Sequence, residues 1–102
     1  MFELAEWQRR AVALNFPDQA VIDGQHCAAQ SGQTFAAINP ATGQCLANVA
    51  ACGEEDVDAA VRNARQVFEA GTWSQRLTAE RKQVLLRLAD LLMTQREELA
   101  LL

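Results

Sequence analysis

The chain has 102 residues, long enough for one small domain or part of one and too short for separate cofactor and substrate domains. Half of the residues are hydrophobic, but many are alanines of little area, so any core is modest. A net charge of −4 with no concentrated Lys/Arg stretch repels a phosphate backbone and excludes nucleic acid as an expected partner.

The amino-terminal run Met1-Phe2-Glu3-Leu4-Ala5-Glu6 has acids where a secretory signal has bases, and no apolar run approaches a membrane span. These features predict a cytoplasmic protein without membrane contact. Cys27, Cys45 and Cys52 are odd in number and unevenly spaced, as suits reduced thiols.

From Glu3 to about Leu14, the apolar residues Leu4, Trp7, Ala11 and Leu14 recur three to four apart, which predicts an amphipathic helix ended by Asn15-Phe16-Pro17-Asp18. The period then shortens. Ala20-Val21-Ile22 is β-prone, Asp23-Gly24 is a hairpin turn, and Gln25 to Ala29 returns antiparallel. Thr34 to Ile38 and Cys45 to Ala50 are further strands, joined by the turn Asn39-Pro40-Ala41-Thr42-Gly43. The middle of the chain is expected to be a small antiparallel β meander.

After Gly53, a helix carries Val57, Ala60, Val61, Ala64, Val67 and Phe68 on one face and stops at Gly71. Glu54, Glu55, Asp56 and Asp58 crowd its first turns, where acids are favoured by the positive end of the helix dipole without any metal or acid–base role. A last helix has Thr78 as its expected cap and Val84, Leu85, Leu88, Leu91, Leu92 and Leu99 on its buried stripe. Glu97-Glu98-Leu99-Ala100-Leu101-Leu102 lacks the usual stop signals, so the segment is expected to be incomplete, cut inside that helix.

Chemistry is sparse. Gly24, Gly32, Gly43, Gly53 and Gly71 are too dispersed for a dinucleotide fingerprint or a phosphate loop. Ser31 and Ser74 are the only serines and His26 the only histidine, which leaves no hydrolytic triad. His26, Cys27, Cys45 and Cys52 could be read as four zinc ligands, but neighbours on a strand point to opposite faces and no Cys-x-x-Cys chelate exists. No Lys or Arg lies close by in sequence to lower a thiol pKa. Arg9-Arg10 and Arg81-Lys82 read as solvated faces, and Trp7 and Trp73 as packing residues.

Four stretches nevertheless form an ordered set: Val21-Ile22-Asp23-Gly24; Ile38-Asn39-Pro40-Ala41-Thr42-Gly43; Asp56-Val57-Asp58-Ala59-Ala60-Val61 with Ala64-Arg65, Phe68 and Trp73; and Arg81, Leu85, Leu88-Ala89-Asp90-Leu91-Leu92 with Glu97-Glu98-Leu99-Ala100. In this order and spacing they resemble the amino-terminal portion of the NAD(P)-dependent aldehyde dehydrogenase superfamily. The leading Trp7-Gln8 helix and Gly71-Thr72-Trp73-Ser74 resemble members acting on γ-glutamyl-γ-aminobutyraldehyde, although His26 stands where family members often have an aromatic residue.

The resemblance implies an α/β fold in which residues 1–102 form the amino-terminal segment of the NAD(P)-binding domain, with no complete second domain. It also implies a homo-oligomeric parent that oxidises an aldehyde to a carboxylate: a Cys thiolate attacks the carbonyl, hydride passes to NAD or NADP, and a Glu-activated water hydrolyses the thioester. In the family all of those groups come after the stretch matched here, so no catalytic, cofactor-binding or metal residue is carried onto this sequence. The segment's expected partner is the remainder of its own chain.

Gly24-Gln25-His26-Cys27 spells the family's Gly-Gln-x-Cys nucleophile context, and Gly43-Gln44-Cys45 is a near copy. The surroundings argue against the first, because Ala20 replaces the family's Phe and Asp23-Gly24 is needed as a hairpin turn. The competing expectation is a free-standing interaction module that binds a partner protein through the apolar stripe ending at Leu102.

Overall fold

The computed structural model describes residues Glu3–Leu102. They form the element order α1 (Leu4–Val12), β1 (Ala20–Ile22), β2 (Gln25–Cys27), β3 (Thr34–Ile38), β4 (Cys45–Ala50), α2 (Glu54–Ala70), α3 (Thr78–Thr94) and α4 (Arg96–Leu101). The described residues divide into two compact units: residues 16–74 with all four strands and α2, and residues 3–15 plus 75–102 with α1, α3 and α4.

In the strand-containing unit, β1 and β2 pair antiparallel with Ile22 opposite Gln25, which leaves Asp23 and Gly24 as a two-residue turn. Both have positive φ, 54° and 68°, the geometry that matches the twist of the flanking strands and for which Asp-Gly is suited. The β3–β4 hairpin turns through Asn39-Pro40-Ala41-Thr42-Gly43. The Asn39 side-chain oxygen accepts from the Ala41 N–H at 2.9 Å, and the Gly43 N–H donates to the Asn39 carbonyl at 2.8 Å. Ala37 faces Ala47 while Ile38 faces Cys45, so Leu46 is an extra residue that makes a bulge.

The expected meander resolves into two separate two-stranded sheets. Residues 28–33 supply the physical reason. The Gly32 N–H bonds back to the Ala29 carbonyl at 2.8 Å and Gly32 takes φ 70°, so the chain turns instead of continuing a ladder from β2 into β3. One backbone bond ties the pieces, from the Ala50 N–H to the Asp18 carbonyl, while the Ala51 N–H on the Gln33 carbonyl extends the β3–β4 pairing, each at 2.8 Å. β1 lies against α2. That helix ends where predicted, with Gly71 left-handed at φ 68° and its N–H on the Phe68 carbonyl. On its surface Arg65 pairs with Glu69 at 2.6 Å.

In the helical unit, α1 lies against α4, and Arg10 bonds Glu97 at 3.0 Å. Arg10 also sits over the Trp7 ring at 5.5 Å, so it is half-buried and structural where a solvated face was expected. Arg9 remains exposed and pairs with Glu6.

Two sequence expectations for the last helix need correction. Thr78 is its first helical residue and Leu77 its cap, because the extended Leu77 presents its carbonyl to the N–H groups of Glu80 and Arg81 at 3.0 and 3.1 Å. The single long helix is two: α3 stops at Thr94 and Leu99 belongs to α4. At the break, the Thr94 hydroxyl donates to the Asp90 carbonyl at 2.8 Å and Gln95 leaves helical geometry at φ −101°, ψ 13°.

The expected buried stripes are exposed. Val84, Leu85, Leu88, Leu91 and Leu92 on α3 are 45–58% exposed, and Val57, Val61 and Phe68 on α2 are 56–64% exposed. Trp73, expected to pack, is 40% exposed. Among the described residues Ala29 is the buried apolar residue, and no large side chain is fully buried. The amphipathic patterns form the helices without covering them.

Candidate functional site

The residues with chemical potential gather in the strand-containing unit. His26 and Cys27 are neighbours on β2, paired with Val21 and Ala20 respectively. Strand alternation leaves His26 exposed and Cys27 half-buried, and the Cys27 thiol donates to the Ala20 carbonyl at 3.7 Å. This contact lies inside the β1–β2 hairpin, with Gly24 held in its turn. Cys45, at the start of β4, is exposed and its thiol reaches the Ala47 carbonyl at 3.5 Å.

Cys52 precedes α2 and is exposed. Surrounding protein atoms, then the negative charge of Asp56, then the Cys27 thiol raise its pKa above that of an ordinary cysteine. A raised value means less thiolate at neutral pH, the opposite of what an activated nucleophile requires. All three cysteines are free thiols, and among the described residues no group of three or more His, Cys, Asp or Glu side chains converges as a metal centre would need.

Asp56 is the most informative acid. It is 6% exposed, the buried charged residue among those described. One carboxylate oxygen accepts from the Gly53 N–H at 2.9 Å, and the other accepts from the Gln30 N–H at 3.0 Å. The first contact satisfies a free donor at the helix start, as in the returning half of a capping box. The second ties α2 to the turn that follows β2, 26 residues earlier. The sequence reading placed Asp56 among four helix-start acids and missed this clamp. Its signal was present as an acid three residues after the Gly53 cap, whereas the Gln30 contact is long-range and had none.

The helical unit offers little more. A shallow groove of about 220 Å³ lies between α1 and α4, lined by Arg10, Ala13, Leu14, Glu98 and Leu101. On α3, the Nε of Arg81 is buried without a hydrogen-bond partner, so Arg81 departs from the expected solvated face.

A nicotinamide dinucleotide does not fit these residues. Gly24, Gly32 and Gly43 sit singly in turns and Gly71 ends a helix, so they form no cradle for a pyrophosphate. Gly53 does open a helix, but Glu54, Glu55 and Asp56 follow at once and repel an anion there. The side-chain contacts described are those of anchoring: hairpin turns and a carboxylate clamp.

Comparison with known proteins decides what this scaffold is. The family model described as "Aldehyde dehydrogenase family" matches residues 26–102. The chain belongs to the aldehyde dehydrogenase family. An aminoacetaldehyde dehydrogenase of Pseudomonas aeruginosa is 52% identical over 97 residues, covering 95% of this chain and 20% of that protein. An NADP/NAD-dependent aldehyde dehydrogenase of Escherichia coli is 43% identical over 99 residues, covering 97% and 20%.

Solved aldehyde dehydrogenase structures agree. A γ-glutamyl-γ-aminobutyraldehyde dehydrogenase from Burkholderia cenocepacia is 45% identical with a TM-score of 0.93, over 98% of this chain and 20% of that one. An indole-3-acetaldehyde dehydrogenase of P. syringae, in complex with NAD+, is 42% identical with a TM-score of 0.93, over 99% and 20%. The chain thus spans about a fifth of the length of these aldehyde dehydrogenases, and its helices and paired strands match their amino-terminal portion. The motif reading that pointed to this family is borne out.

Proposed function

We propose that residues 1–102 are the amino-terminal segment of the NAD(P)-binding domain of an enzyme that oxidises an aldehyde to a carboxylate with NAD+ or NADP+, and that none of the catalytic, cofactor-binding or metal-binding residues lies within them. The observation that carries this reading is the combination of high identity with coverage of only a fifth: 52% over 95% of this chain but 20% of the relative. The segment folds as its relatives do while its side chains build turns and anchors.

In this reading the nicotinamide cofactor supplies the hydride acceptor and is held by later parts of the parent chain. The role of the 102 residues is to present helix faces against that remainder. Val84, Leu88 and Leu91, about half exposed, are apolar surface of the kind that a larger domain covers. The parent's substrate is proposed to be a small aliphatic amino-aldehyde or its γ-glutamyl derivative, supported by the names of the aminoacetaldehyde and γ-glutamyl-γ-aminobutyraldehyde relatives. The parent is proposed to be a cytoplasmic homo-oligomer. Among the described residues no helix is long and apolar enough to cross a membrane.

The same exposed leucines also fit the second reading, a free-standing interaction module. The gene separates the two. A reading frame that continues into a second Gly-Gln-x-Cys context preceded by Phe supports the enzyme, and a stop codon after Leu102 supports the module. The functional test is reduction of NAD+ or NADP+ with an amino-aldehyde by the segment alone and by the segment joined to the rest of an aldehyde dehydrogenase.

A further inference from the structure

We draw no further inference here: the strongest candidate, the exposed leucine face of α3 around Leu88 and Leu92, carries nothing beyond the family reading because nothing in the structure shows what else covers it.

Discussion

Asp56 holds two backbone donors from separate stretches of chain, and this makes it the residue whose removal has the clearest cost. Bonds to a charged acceptor contribute about 1.5–3 kcal/mol each, discounted here because Gln30 and Gly53 are themselves exposed to water. Asp56→Ala is expected to destabilise the parent protein by about 2 kcal/mol. Asp56→Asn, which keeps one acceptor oxygen, should cost about half of that. Denaturant titration of the two variants checks the order, and equal stability of Asp56→Ala and wild type would show that the clamp is idle.

The same carboxylate acts on Cys52. Because surrounding protein and then Asp56 raise the thiol's pKa, its alkylation rate should rise with pH through an inflection above that of a free cysteine. Asp56→Asn removes a negative charge, lowers the pKa and speeds alkylation at neutral pH. The linkage sign follows: a raised folded-state pKa favours the protonated thiol, so any stabilisation is complete below the unfolded value and is lost as pH rises through the folded one. An inflection at the ordinary thiol value in wild type would contradict the electrostatics.

Among the elements, those coded by local chemistry were legible in the sequence. Asp23-Gly24 specified a turn with two positive φ values, and the β-prone runs at 34–38 and 45–50 gave both strands their observed limits. Gly71 marked the end of α2 because a left-handed residue there closes the last turn on Phe68. Gly71→Ala forces a Cβ into φ 68° and should cost about 1 kcal/mol, read as a lower unfolding midpoint of the parent with unchanged denaturant slope. An unchanged midpoint would mean that the helix end relaxes without strain.

What escaped the sequence depended on distance or on competition. The Gln30–Asp56 bond and the Arg10–Glu97 pair join residues 26 and 87 positions apart, beyond any helical or strand period. At the α3–α4 break the Thr94 side chain bonds a carbonyl of its own helix and Gln95 leaves helical geometry, while the apolar repeat runs on to Leu99 as though nothing interrupted it. The two-sheet arrangement turned on Gly32, whose signal reads equally well as a meander turn. Of the candidate site, the place of Asp56 at the start of α2 was legible in the sequence, whereas its bond to Gln30 was not.

At the scale of the whole chain, exposed apolar surface within each unit is the telling quantity. Each unit carries such surface: Val61 and Phe68 in one, Leu85 and Met93 in the other, are each more than half exposed. As an isolated polypeptide the segment should therefore self-associate or remain partly molten, binding a hydrophobic dye and giving a weak near-ultraviolet circular dichroism signal. A monomer with a sharp near-ultraviolet spectrum would show that these faces need no cover.

On the proposed function, these residues supply an aldehyde dehydrogenase with scaffold and none of its chemistry. This is tested most directly by measuring amino-aldehyde-dependent reduction of NAD+ or NADP+ for the 102-residue polypeptide alone and joined to the remaining four-fifths of a relative. No turnover alone and clear turnover when joined is the predicted result, and turnover by the isolated segment would contradict it.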